Sequence, residues 1–447
     1  MKKVFFTAAA LGLVAGISTS AAALELKVKG EYILEGYSIS DGLGINSGLG
    51  LQMQDTSSKD DGDRNAWFEH KFQTDADLVV NDAITIKSRI RFVDWGVWGS
   101  QDDTDVSNGN NFSVRRLWMV YKSPVGIWEI GRRPAGAWEN SFVNTATRGD
   151  RIMWKSGKML SDNFEMYAFY QKITEEDSYT NDDGHDYDYY EVYGAFTGYG
   201  KTSLAVGYYG DEQFDYDTLD DVGTVGYTTD RWRVKGYGGY QFTQMLGLEV
   251  EFDYINGTKE MNDAANTEYD ISGLAFMADL QVNFGAAQTD FMYFYISGDE
   301  NGSTDGDLDA YSTGSGTGAD FEPLYILTGT KTSLLNNDMG SDNEYGTAAR
   351  TAGAHGFVGA ADIQATEKLG LHGALGYAMA ADEMAGYDSD YGWEADLGAS
   401  YKLLDNLTYN LHFGYLASGD FFKLGSTEAG LETNDITLLY NNLSMTF

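Results

Sequence analysis

The segment LELKVKGEYILEGY, residues 24–37, sets Leu24, Leu26, Val28, Tyr32 and Leu34 on one parity and Glu25, Lys27, Lys29, Glu31 and Glu35 on the other. Successive residues of a strand point to opposite faces, so this is a strand with one apolar and one polar face. The same alternation recurs as ITIKSRIRF (84–92), RWRVKGYGGYQF (231–242), LEVEFDYI (248–255), LAFMADLQVNF (274–284), LGLHGALGYAM (369–379), WEADLGASYK (393–402) and LTYNLHFGYL (407–416). Each run has about ten residues, close to the 9–11 that a tilted strand needs to cross a bilayer.

The connections alternate as well. Short turns read at Val80-Asn81-Asp82, 123–126, 161–163, 198–201, 243–245, 285–288, 366–368 and 404–406. Between them lie longer acidic loops, among them DTSSKDDGD (55–63), QDDTDVSNGNN (101–111), ITEEDSYTNDDGHD (173–186) and a stretch of about fifty residues from Gly298. Short turns at one rim and long loops at the other are the asymmetry of an outer-membrane barrel. A strand on each side of eight turns, with the first and last strands added, predicts an all-β, transmembrane antiparallel β-barrel of 18 strands with both termini on the periplasmic side; 16 is the alternative count.

Composition narrows the function classes. With Lys+Arg 30 against Asp+Glu 68 the formal charge is −38, which argues against nucleic acid as a partner because phosphate binding needs a basic face. Cys is 0, so disulfides and thiolate metal sites are excluded. After residue 23 no apolar run approaches the roughly 20 residues of a spanning helix. The N-terminus reads as a secretory signal peptide over residues 1–23: Lys2 and Lys3, the apolar stretch VFFTAAALGLVAGI and an Ala21-Ala22-Ala23 cleavage site. Residues 24–447 are then one exported barrel.

At the far end Leu439, Leu443, Met445 and the terminal Phe447 share one parity, from which Asn441 departs. Here the chain resembles the Gram-negative outer-membrane porin superfamily, whose last strand ends in phenylalanine as a signal to the barrel-assembly machinery. In size it is similar to the family's maltoporin-like and alginate-export-like members. The resemblance implies residence in the cell outer membrane, contact with its lipid and lipopolysaccharide, a homotrimer as one possible assembly, and a water-filled channel for passive diffusion of small hydrophilic solutes and ions. It implies no cofactor.

A barrel of this size can hold an aqueous channel, so the inward residues decide the function. With Ile84, Ile86, Ile90 and Phe92 outward, Lys87, Arg89 and Arg91 turn inward. The same parity turns Arg116 and Lys122, then Glu129 and Arg133, then Arg151 and Lys155 inward on the next three strands. The arginines lie about seven to ten residues above their short turns, which at about 3.3 Å per residue on tilted strands is near the membrane midplane. Residues 87–158 carry twelve Lys+Arg and seven Asp+Glu, a local +5 in a strongly acidic chain. Lys87, Arg89, Arg91, Arg116, Arg133, Arg151 and Lys155 are thus expected to form a pore-lining basic belt that sets selectivity; the competing reading is a solvated wall whose arginines pair with acids and stiffen the barrel. Opposite, Asp253, Asp279, Glu394 and Asp396 read as a pore-lining acidic wall, and the two walls would impose a transverse field on solutes. Lys235 and Asp253 read as an ordinary cross-strand pair. The loop after Arg133 has the position from which general porins fold a loop into the lumen, and the resemblance makes Trp138, Glu139 and Asn140 a candidate constriction facing the belt.

Inward Tyr167, Tyr193, Tyr237, Tyr293 and Tyr295 read as lumen filling before an aromatic slide for sugars, and Trp128, Trp154, Trp232 and Trp393 as interfacial girdle. His372 and His412 point into the lumen near Asp396 and Ser400 without a triad motif, and runs such as Asp305 to Asp309 lack the glycine and final glutamate of a calcium loop, so neither an enzyme nor a metal site is expected. The function expected is that of a porin; the alternative is a non-conducting barrel that presents acidic surface loops as an adhesin or receptor platform.

Overall fold

The computed structural model describes residues 24–447 except 41–42, 47–49, 54–63, 99–111, 137, 143, 145, 176–184, 214–225, 264, 301–305, 312–320, 330–334, 336–351, 384–386 and 424–434. The signal-peptide reading of 1–23 and most of the acidic loop runs named above fall outside the described residues.

Eighteen strands form the wall. They are β1 (Glu25–Ser40), β2 (Arg64–Val79), β3 (Ile84–Val97), β4 (Ser113–Ser123), β5 (Gly126–Ala135) and β6 (Thr147–Lys155). Next come β7 (Phe164–Glu175), β8 (His185–Phe196), β9 (Lys201–Gln213), β10 (Tyr227–Gln241), β11 (Leu246–Met261) and β12 (Glu268–Asn283). The last six are β13 (Ala287–Ile296), β14 (Ala354–Gln364), β15 (Leu369–Met379), β16 (Asp390–Leu404), β17 (Leu407–Ser418) and β18 (Ile436–Thr446). Each pairs antiparallel with its sequence neighbours, and β1 pairs β18 through Glu31↔Thr446 to Ser40↔Thr437, so the barrel is closed. Closure leaves no open sheet edge, as a strand assembly in lipid requires. A two-residue strand, Asp307–Leu308, lies parallel to β12, and Leu43–Asn46 pairs with Gly50–Met53 in the first long connection.

The eight short turns stand where the alternation breaks. Three use one chemistry: the Asn81 side chain accepts the N–H groups of Ala83 and Ile84 at 2.9 Å, Thr243 accepts those of Met245 and Leu246, and Thr366 those of Lys368 and Leu369. A short polar side chain thereby satisfies the backbone of a turn too tight to satisfy itself. The first and last strands lock together through Phe447, whose N–H and C=O both bond Gly30, and a Cβ at Gly30 would collide with the Phe447 ring.

Outward positions are apolar and bare: Leu397 is 66% exposed, Phe291 57%, Phe357 55% and Leu375 55%. Such side chains recur around the ring, an apolar area far beyond what a water-facing monomer carries. No described helix is long and apolar enough to cross a membrane; the crossing is by strands. Trp128, Trp154, Trp232 and Trp393 share the outward parity. Tyr293 and Tyr295 differ from expectation. They share the outward parity of Phe291, while Phe294 and Ile296 point in and are buried. The run Phe291-Met292-Tyr293-Phe294-Tyr295 is apolar at every position, so it carries no signal for which parity faces the core.

The packed core sits inside the barrel. Phe142, from the β5–β6 connection, meets Phe321, from the β13–β14 connection, at a ring separation of 5.1 Å, and both meet Phe294 of the wall. Around them Ile255, Met277, Leu324, Ile326, Leu327 and Leu416 are buried. Two connections therefore fold back into the lumen and fill much of it.

Candidate functional site

All the inward charges of β2–β6 lie on one wall, and most are held in ion pairs between adjacent strands. The register Asp75↔Arg89 and Asp77↔Lys87 sets acid against base, and Arg89 binds Asp75 in a fork with Nε–Oδ1 2.7 Å and Nη2–Oδ2 2.9 Å. Lys87 Nζ is 3.1 Å from Asp77. Arg91 bonds Gln73 at 3.2 Å and pairs with Asp94, which also takes Arg115. On β5 the Glu129 carboxylate bridges Arg133 at 2.6 Å and Lys155 at 2.9 Å. Each such fork is a charge-assisted contact that fixes the arginine plane.

Arg116 and Arg151 stand apart. Arg116 donates to the Thr147 carbonyl at 3.1 Å, and Arg151 donates to the Gln171 amide oxygen and lies 3.9 Å over the Phe169 ring. Among the described residues neither has a carboxylate partner, so their charge is free to act on a solute. The seven residues read as a belt are thus on one wall, six partly accessible and Arg133 buried, five in ion pairs and two without.

The acids of the opposite wall point inward but are covered. Asp253 is 0% exposed, Glu394 0%, Asp396 2% and Asp279 6%. Asp253 accepts Arg233 Nε at 2.6 Å, with Arg233 also donating to Tyr209 at 3.2 Å and Tyr311 at 3.3 Å. Lys235 is in register with Asp253 yet pairs at 2.7 Å with Glu191, which lies two strands away in the opposite direction. The expected Lys235–Asp253 pair is therefore replaced by two crossed pairs, because Arg233 offers Asp253 two donors where lysine offers a point charge. Glu394 and Asp396 accept backbone N–H groups of the inserted β13–β14 connection, and Asp279 accepts Gln281 at 3.0 Å.

The β5–β6 loop does enter the lumen, but Trp138 and Glu139 turn away from the basic belt. Trp138 is buried, with Lys235 Nζ 4.9 Å over its ring and Tyr193 against its edge. Glu139, at φ 48°, pairs with Lys201 and accepts Ser203 at 2.6 Å. Asn140 accepts the Phe142 N–H at 2.9 Å, and Asn144 Nδ2 bonds Glu251 at 3.0 Å. The loop is thus moored to β8–β11, past β7 from the belt, because Lys201 and Ser203 supply its acid with donors. The inward tyrosines are used structurally: Tyr167 stacks on Tyr193 at 4.2 Å and Tyr189 on Tyr209 at 3.8 Å, which occupies ring faces that a sugar would need.

Of the inward histidines, His372 bonds Asp362 at 2.9 Å and His412 stacks on Tyr440. Among the described residues no group of three potential ligands could hold a metal ion. Sequence reasoning missed Arg233, Glu191, Asn144 and the inserted segment near residue 325. The readable trace of the last was a set of glycines at inward positions 376, 398 and 414, where a strand has reason to carry a side chain.

No protein-family model matches this chain, and no curated protein matches it in sequence. Solved structures do. OpdL of Pseudomonas aeruginosa is 10% identical with a TM-score of 0.53, over 95% of this chain and 99% of that one. A BenF-like porin from Pseudomonas fluorescens Pf-5 is 10% identical at 0.51, over 94% and 98%. OccK3 (OpdO) of Pseudomonas aeruginosa is 11% identical at 0.51, over 94% and 95%. At these identities the likeness is one of fold: the chain has the closed barrel fold of outer-membrane porins.

Proposed function

We propose that the protein is an outer-membrane channel in which small hydrophilic solutes and ions diffuse passively along the basic side of the lumen, with a preference for anions. One observation carries this reading: inward residues of β8–β18 are largely covered by the two inserted connections, whereas Lys87, Arg89, Arg116, Arg151 and Lys155 on β3–β6 keep partial exposure. The water path left over is eccentric and runs beside bases, two of them without an acid partner. The second reading, a non-conducting barrel that works through its acidic loops, draws support from the Phe142, Phe294 and Phe321 cluster, which closes part of the section. Purified protein in a planar bilayer separates the two: discrete conductance steps are expected, and a silent bilayer with correctly folded protein defeats the channel.

Delivery to the outer membrane, with lipid and lipopolysaccharide around the wall, rests on the apolar outer band and on the C-terminus. Deleting Phe447 removes a side chain that is 57% exposed, at most about 1.5–3 kcal/mol of apolar contact, and two backbone hydrogen bonds to Gly30, together too little to unfold so large a barrel. Insertion in cells should nevertheless slow and leave periplasmic aggregates, while refolding in detergent proceeds nearly unchanged; equal rates in cells would deny Phe447 a role in recognition by the assembly machinery. A homotrimer is favoured by the outward ion pair Arg132–Asp150, at 2.6–3.0 Å between the outward Ile130↔Ile152 row and the long-loop rim. A second copy would shield that pair better than acyl chains, against which an arginine at mid-depth costs about 2–4 kcal/mol.

A further inference from the structure

Within the β13–β14 connection, Phe321–Gly329 lies inside the barrel against β15–β17. Its Leu324, Ile326 and Leu327 are fully buried, and its two arms are tied by Thr328, whose hydroxyl donates to the Leu324 carbonyl at 2.9 Å and accepts the Leu324 N–H at 3.0 Å. The wall is cut to receive it. A Cβ on Gly376 would sit 2.5 Å from Leu324 Cδ1, one on Gly398 2.8 Å from Tyr325 Oη, and one on Gly414 3.2 Å from Ile326 Cδ1. Each glycine weakens a strand by about 0.5–1 kcal/mol, and three on adjacent strands beneath three consecutive side chains are accounted for by close approach of this segment.

Two acids on β16 hold the segment by its backbone. The N–H groups of Ile326 and Leu327 reach Glu394 Oε1 and Oε2 at 2.6 and 2.7 Å, and that of Tyr325 reaches Asp396 Oδ2 at 3.1 Å. The contacts are mutual. The carboxylates have lost water and need donors, and the N–H groups lie in a bend with no strand partner. Tyr325 adds an aromatic wedge, its ring 5.6 Å from His372 and 4.8 Å from His412.

We propose that Phe321–Gly329 is a plug seated in the Gly376, Gly398 and Gly414 socket, and that Glu394 and Asp396 are the positioning residues that set the channel's free cross-section by holding it there. This rests on the channel reading above. Glu394→Gln turns an amide N–H against one of the two backbone N–H groups that its oxygens accept, Asp396→Asn weakens the acceptor for Tyr325, and together they should loosen the plug and raise single-channel conductance about twofold, toward that of an open barrel. Because the chain has Cys 0, the pair Leu324→Cys with Gly376→Cys can form only the intended disulfide. Added to the amide variant, it should return conductance to the wild-type level when oxidised and release it on reduction. Gly376→Leu, which fills the socket and keeps both acids, must raise conductance as well, and serves if the amide variant does not assemble. Wild-type conductance in these variants, or no response to reduction, overturns the plug. A wild type that gives no steps overturns the channel itself, a separate result.

Discussion

Replacing Arg116 and Arg151 by glutamine is expected to disfavour a passing anion about sevenfold and favour a cation as much, lowering the anion-to-cation permeability ratio about fiftyfold at low ionic strength. At about 7 Å in water one unit charge acts on another with about 0.6 kcal/mol, so two contribute about 1.2 kcal/mol to an ion passing between them. These two are chosen because, among the described residues, neither has a carboxylate partner: Arg116 bonds a carbonyl and Arg151 an amide and a ring. Their loss changes the field without leaving an orphaned acid. Reversal potentials under a potassium chloride gradient measure it, with a larger shift near 0.1 M, where the Debye length is about 10 Å, than near 1 M, where it is about 3 Å. Arg89→Gln with Arg133→Gln removes the same formal charge but breaks the arginine pairs of Asp75 and Glu129, so a comparable shift should come with lower resistance to unfolding. A reversal potential unmoved in both variants, with conductance intact, would place the open path away from β3–β6.

The largest loss of stability is expected from Arg233→Met. Asp253 is 0% exposed and its pair with Arg233 is completed by Tyr209 and Tyr311, so the variant leaves a buried carboxylate without its base. Breaking such a pair from one side typically costs about 3–5 kcal/mol, whereas removing both charges is near neutral. Arg233→Met with Asp253→Leu should therefore recover most of the loss, and urea midpoints of the barrel refolded in vesicles, read as a double-mutant cycle, test the coupling. Additive single-site losses would show that Asp253 draws its support from elsewhere in the core.

How far the sequence reached can be followed through particular residues. Lys87 and Arg89 were placed inward because Ile84, Ile86 and Ile90 alternate with them, and the register Asp77↔Lys87 and Asp75↔Arg89 follows from the turn at Asn81. Tyr293 and Tyr295 were misplaced because their strand is apolar at every position. Glu394 and Asp396 were put on the correct face of β16, yet their occupation by the plug was not foreseen, since its partners lie about 70 residues upstream.

By itself the sequence determined the barrel, its turns and the face of most inward charges, and it put the strand number at 18 with 16 as the alternative. Those properties are local: side chains alternate with a period of two, and a tight turn takes Asn, Thr or Gly because its backbone demands it. Tertiary structure alone decided which inward charges still meet water. That depends on Asn144 reaching Glu251 across 107 residues and Ile326 reaching Glu394 across 68, contacts set by the closed wall that brings distant strands around one lumen.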